Sequence, residues 1–158
     1  MLKRSLRNKR TERGQAFVEL ALSLVFLLVL FTVMVDLGWA FYTMIAMRDT
    51  VQEAAVYGSM CPVNTSLIEE RLRNSASQPL DMDTVSSADI DIEILNTAGS
   101  VVSYTSANIV RGNSIRVSLR YNHQIVVPFV STFIGTTSYP LEVTVADTIL
   151  KTNNNDCN

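Results

Sequence analysis

From Leu20 to Val35 the chain runs for sixteen residues without a charge, with Ser23 and Thr32 as its polar members. Counted back to Ala16 the segment reaches twenty residues and is interrupted once, by Glu19. An α-helix rises about 1.5 Å per residue, so this length spans roughly 30 Å, the hydrocarbon thickness of a bilayer. The pattern predicts a transmembrane helix. A core helix of that length without a polar face would need a larger domain around it than the remaining residues can build. After Asp36 the pattern changes. Leu37, Ala40, Phe41, Met44, Ile45, Val51, Ala54 and Ala55 fall mostly at spacings of three and four, with Arg48, Asp49, Gln52 and Glu53 on the remaining surface. That spacing predicts an amphipathic continuation of the same helix, stopped by Gly58 and Pro62. A continuous helix from Gln15 to Tyr57 would be about 65 Å long. Trp39, Phe41 and Tyr42 suit an interfacial belt of aromatics, with packing on a sheet as the equally ordinary reading of Phe41.

Beyond Cys61 the chain becomes polar and β-prone. Ser66 to Asn74 sets Leu67, Ile68 and Leu72 against outward charges and reads as a short helix begun by a Thr or Ser cap. Gln78 to Ala88 reads as a linker. Alternating segments follow at Asp89 to Leu95, Val101 to Thr105, Ser114 to Tyr121, His123 to Phe129 and Leu141 to Leu150, with turns at Asn96 to Gly99 and around Gly112. Apolar positions alternating with polar ones indicate a sheet with one wet face. The expected fold is α+β: a long transmembrane-plus-amphipathic helix packed on an antiparallel sheet of about four strands. The expected organisation is a leader over 1–14, a membrane helix over 15–36, its amphipathic continuation over 37–58, a head over 59–152 and a polar tail over 153–158.

Composition sharpens this picture. With 47% hydrophobic residues and a mean hydropathy of +0.20, the 158-residue chain is too apolar to be disordered. Its net charge of −2 supplies no field for nucleic acid, and no segment interleaves basic and aromatic residues. That average hides a division. Residues 1–14 carry six basic side chains against one acidic, and residues 15–158 carry seven against fourteen. Positive flanks stay cytoplasmic, so the leader is expected inside and everything after about Asp36 outside. The segment is not an ordinary secretory signal. It is longer than such signals, and no Ala-x-Ala-like site follows; Met44-Ile45-Ala46 has a large residue where a small one is required.

The cytoplasmic boundary reads Arg13-Gly14-Gln15-Ala16-Phe17-Val18-Glu19. A carboxylate in a span costs about 2.5 to 3.5 kcal/mol at the helix centre and less near the interface. One reading places Glu19 among headgroups in the first helical turn, where the dipole favours a negative charge. The other has cleavage after Gly14 create an α-amine at Gln15, with Glu19 pairing such an amine on its own chain or on a neighbour. Glycine suits the cut because it leaves the extended backbone unobstructed.

The string from Arg13 to Ala21 resembles the TadE-like minor pilins, or pseudopilins, of tight-adherence (Flp-type) pilus systems. So do Asp36 with Gly38, Phe41-Tyr42 and Val51 to Gly58. The resemblance covers about residues 13–60, and more loosely Tyr139 to Leu150. Two departures stand out: Ser23-Leu24-Val25 lies where such chains often carry a proline, and Leu20 replaces a phenylalanine. The resemblance implies a prepilin peptidase cutting between Gly14 and Gln15, with Glu19 a docking group and not a catalytic one. It implies partners among other pilin subunits, inner-membrane platform proteins and membrane lipid. The implied role is a structural or assembly-priming subunit of a pilus or secretion machine, single-pass in the cell membrane with its head extracytoplasmic, or carried into an extracellular pilus.

Cys61 and Cys157 would both lie where disulfides persist. A bridge between them is the favoured reading, closing a loop for which chain entropy gives about 4 to 5 kcal/mol; free thiols or pairing between chains are the alternatives. Catalysis finds no setting: His123 stands alone in an expected strand, and no Gly-x-Ser-x-Gly elbow or phosphate loop is present. Asp81, Asp83, Asp89 and Asp91 lack the spacing of a calcium loop, and two cysteines make a poor zinc site. Asn64-Thr65-Ser66 matches a glycosylation sequon. No enzyme, metal or cofactor is expected. The alternative function is an uncleaved membrane-anchored extracytoplasmic binding module.

Overall fold

The computed structural model describes residues 9–152 and 157. Most of the expected leader (1–8) and the tail residues 153–156 and 158 lie outside the described residues. The first element, α1 (Lys9–Met60), has 52 residues and so a length of about 78 Å. It starts before the expected Gln15, because Lys9 to Gly14 contains no helix breaker stronger than its closing glycine. It also runs through Gly58, which is not a stop. A Cβ on Gly58 would lie 2.9 Å from Ile115 Cδ1 and 3.3 Å from Ile68 Cδ1. Glycine is there because α1 approaches the sheet and the next helix too closely for a side chain. The helix ends at Met60, ahead of Pro62, with the Cys61 N–H donating to the Tyr57 carbonyl at 2.9 Å.

Helix α2 (Thr65–Ser75) buries Ile68 and Leu72 against α1. Its cap is Asn64, not the expected Thr or Ser: the Asn64 side chain accepts from the Ser66 N–H at 3.1 Å. Residues 78–88 are more than a linker. Together with Asp89 they form two single 3₁₀ turns, Met82–Thr84 and Ser87–Asp89, and Leu80 and Val85 of this segment lie in the core. Arg73 ties this segment to α2 by donating to the carbonyls of Met82 and Val85, both at 3.1 Å, while pairing with Glu69 at 2.9 Å.

Four antiparallel strands follow: β1 (Ile90–Leu95), β2 (Val101–Val102), β3 (Ser114–Gln124) and β4 (Ser138–Thr148), in the spatial order β2-β1-β3-β4. The expected strand at Val101 to Thr105 is cut to two residues; its neighbours leave the ladder as Tyr104 turns to donate its hydroxyl to the Pro62 carbonyl. The expected strand at His123 to Phe129 does not exist as such. His123 and Gln124 complete β3, and the chain then forms α3 (Pro128–Ile134), a short helix closed by Gly135 at φ +80°. Strand β4 starts three residues before the expected Leu141 and pairs Ser138 with Gln124 and Glu142 with Arg120.

The apolar face of the sheet is set by alternation. Ile115, Val117 and Leu119 on β3 and Val143 on β4 join Met47, Val51, Ala54 and Ala55 of α1 in one core. The outer face carries Glu93–Arg116, Ser118–Thr144 and Arg120–Glu142 across neighbouring strands. At the far end from the apolar run, Leu150 N–H donates to the Ser59 carbonyl at 2.9 Å and Cys61 is disulfide-bonded to Cys157, with 5.9 Å between Cα atoms. The bridge joins the end of the long helix to the C-terminal segment, 96 residues away in sequence.

Candidate functional site

Only the second half of α1 is part of the head. From Gly14 to Val35 the helix meets little of its own chain, and its most apolar window is wholly unburied. Such a surface, apolar all round, asks for lipid or other helices as its solvent. Gly14 has no neighbour within 4 Å of where a Cβ would stand, and Gln15 and Glu19 are exposed. Glu19 has no ion pair or hydrogen bond among the described side chains. Gln15 and Glu19 are four residues apart and so share one face of the helix. Gly14 sits inside α1, where glycine costs about 1 kcal/mol relative to alanine.

The buried stripe of the second half is more polar than periodicity suggested. Besides Gly58 it consists of Asp36, Thr43, Ala46, Met47, Thr50, Val51, Ala54, Ala55 and Ser59. Leu37 and Phe41, expected on the packed face, are 53% and 66% exposed, and Met44 and Ile45 are exposed with them. The cause is that Leu37 to Ile45 is apolar on nearly every side, so spacing alone does not choose a face. Asp36, Thr43 and Thr50 turn inward at spacings of seven, and of the three Asp36 is held there by groups outside the helix. Thr43 satisfies its buried hydroxyl by donating to the Trp39 carbonyl at 3.0 Å. Phe41 is therefore not part of the core; it lies at the surface, in a groove shared with Glu142 to Ala146 of β4.

Asp36 is the one charged member of that stripe and is 8% exposed. Its Oδ1 accepts from the backbone N–H groups of Val126 and Val127, at 3.1 and 3.2 Å, so it binds the residues that lead into α3. Its Oδ2 is buried and has no hydrogen-bond partner among the described residues. It lines a cavity of about 120 Å³ whose other walls include Val33, Leu37, Ile125, Val130 and Ile134. His123 and Tyr139 close the same cavity, their rings 5.3 Å apart and tilted by 56°. Burial holds the His123 imidazole below its ordinary value, against a smaller upward pull from the Asp36 charge. Burial, with Asp36 adding to it, pushes the Tyr139 phenol up. Elsewhere in the head, burial raises Tyr104 to about 12, and Glu69 is lowered chiefly by the Ser87 hydroxyl it accepts.

No group of three or more metal-ligating side chains occurs among the described residues. Asp81 and Asp89 spend their carboxylates on local backbone, Asp81 accepting from the Asp83 N–H and Asp89 from the Ser86 N–H, both at 3.1 Å. Sequence reasoning missed the Asp36 junction. Its signals were an acid ending an apolar run, and a stretch from Tyr121 to Leu141 without a single charge.

One long apolar helix, bare over its first half and packed over its second on a four-stranded antiparallel sheet, defines an α+β protein. The family model described as TadE-like protein matches residues 14–56, from the glycine before Gln15 to the last turns of α1. That family is pilus-associated and structural. No curated protein and no solved structure matches the chain.

Proposed function

We propose that this protein is a minor pilin or pseudopilin of a Tad-type pilus or related secretion machine, cut after Gly14 by a prepilin peptidase. The match of residues 14–56 to the TadE-like family carries the reading, since it starts at the glycine and includes Glu19. The bare surface of α1 from Gly14 to Val35 supports it: in the precursor it lies in lipid, and after assembly it packs against the helices of neighbouring subunits. The basic leader holds the N-terminus in the cytoplasm and the head outside. Cleavage removes those charges and leaves a positive amine at Gln15, one helical turn from Glu19, or within reach of a neighbour's Glu19 during docking. Nothing in this role requires catalysis, and the head serves as a structural surface for platform and pilin subunits.

N-terminal sequencing of the protein from its native membrane should begin at Gln15, and Gly14→Asp should leave full-length precursor. Glu19→Ala should be cut as the parent is but recovered in reduced amount from assembled material. A native protein that keeps Met1 through Gly14 while working normally would instead identify a permanent membrane-anchored binding module.

A further inference from the structure

The β3–α3–β4 connection is unusual for an exposed loop of this head. Tyr121 to Leu141 contains no Asp, Glu, Lys or Arg, and the stretch is bounded by Arg120 and Glu142, which pair with each other across the strands at 3.6 Å. Its apolar residues are not all spent on the core: Val126 is 58% and Ile134 63% exposed, Ile134 lining one cavity with the exposed Leu37 of α1 and Val126 one groove with Trp39. The two hydrogen bonds from Val126 and Val127 to Asp36 fix where this patch sits along α1. Asp36 is the residue at which the apolar run Ala16 to Val35, about 30 Å long, ends. The next charge on α1, Arg48, lies about 18 Å further along the axis.

We infer that α3 is a second membrane contact: the Asp36 tether holds Val126, Ile134 and Leu37 at the outer lipid–water boundary, where they enter the leaflet that α1 crosses. The inference rests on the reading that α1 spans a bilayer. The occupant is lipid because the patch continues the uncharged surface of the spanning helix at the same level, without a charged girdle between them. Immersion is shallow. Asp81, Asp89 and Arg120 line a groove with Trp39 and Val126 on the flank of the head, which sets the depth at which water and headgroups must begin. Seated in this way, the head is held to the bilayer at two points and cannot swing freely on α1.

The test uses the full chain with Trp39→Phe, which removes the single tryptophan, reconstituted in phosphatidylethanolamine–phosphatidylglycerol vesicles with brominated acyl chains. Single tryptophans are then introduced by Phe26→Trp in the span, Ile134→Trp in α3 and Val101→Trp on the exposed far edge of the sheet. Bromolipid should quench the first two at least twofold and the third not at all, with position 134 quenched best by bromines nearest the headgroup. Position 134 unquenched while position 26 is quenched overturns the inference and leaves the spanning reading intact. Quenching at neither position overturns both. A blue-shifted, concentration-dependent emission at position 134 without bromolipid quenching overturns it in favour of a second protein chain as occupant.

Discussion

Replacing Asp36 by alanine removes the acceptor that holds α3 to α1. Two hydrogen bonds to a carboxylate are lost, at 3.1 and 3.2 Å, and bonds of this type contribute about 1.5 to 3 kcal/mol each. Against that stands the buried Oδ2, which has no partner and costs on the order of 1 to 3 kcal/mol in the parent. The balance predicts a loss of about 2 to 3 kcal/mol for Asp36→Ala. Asparagine keeps a carbonyl oxygen for Val126 and Val127 and withdraws the buried charge, so Asp36→Asn should lie within about 1 kcal/mol of the parent. For a unit of this size 1 kcal/mol moves Tm by about 2 to 4 °C, so the alanine variant should melt about 5 to 10 °C lower in detergent by circular dichroism. Amide exchange supplies a local reading, since the Val126 and Val127 N–H groups should lose protection in Asp36→Ala and keep it in Asp36→Asn. An alanine variant that melts with the parent, or an asparagine variant as unstable as alanine, would refute the assignment of Asp36 as a tether.

Two further outcomes follow from the head. Gly58→Ala gains about 1 kcal/mol of helix propensity but places a methyl 2.9 Å from Ile115 Cδ1, so overpacking leaves a net loss below about 2 kcal/mol. Gly58→Val gains less and adds two more carbons, and it should lose about 3 kcal/mol in guanidinium unfolding of the oxidised protein; a valine variant as stable as the parent would mean that α1 does not approach the sheet so closely. Acidification should destabilise the fold in two stages. His123 has a folded value below its ordinary 6.5, so the unfolded chain takes up the proton first and stability falls as pH drops below 6.5 through the folded value. Glu69, lowered from 4.5, adds a second loss below that pH. His123→Gln should abolish the first stage and keep the second in a series of melts against pH, and an unchanged first stage in that variant would assign it elsewhere.

The elements that periodicity predicted are those whose sequence chooses a face unaided. Strand β3 alternates Ile115, Val117 and Leu119 with polar residues and appears with its expected start, and α2 appears because Ile68 and Leu72 share one face while Glu69, Glu70, Arg71 and Arg73 take up most of the rest. Where every side is apolar, periodicity has nothing to select. That is why Leu37, Phe41, Met44 and Ile45 were expected inside and lie outside, and why the buried stripe had to be read from Asp36, Thr43 and Thr50. The same cause hid α3. His123 to Phe129 has strand-forming residues, but Pro128 cannot donate to a ladder, and the Val126 and Val127 N–H groups go to Asp36. That competition is a tertiary one, ninety residues apart in sequence, and local preference cannot report it. Glycine at 58 carried a local meaning, the end of a helix, that a close approach overrode.

The two misjudged features belong together. A helix that is apolar on all sides below Asp36 and still apolar on its free side as far as Ile45 can tilt and rotate in lipid at little cost, so its orientation relative to the head must be imposed by something directional. Asp36 imposes it: a carboxylate is too costly to leave in lipid, and this one is met on the inward side by the Val126 and Val127 N–H groups. Thr43 bonds its own helix, but Asp36 bonds the loop before α3 and so locks the helix to the sheet where the packed half of α1 gives way to the bare half. A chain whose first element is apolar all round and must leave its head at a set angle needs a rigid joint at that position. The buried carboxylate supplies the rigidity, and its unpartnered oxygen is the cost of placing a charge there.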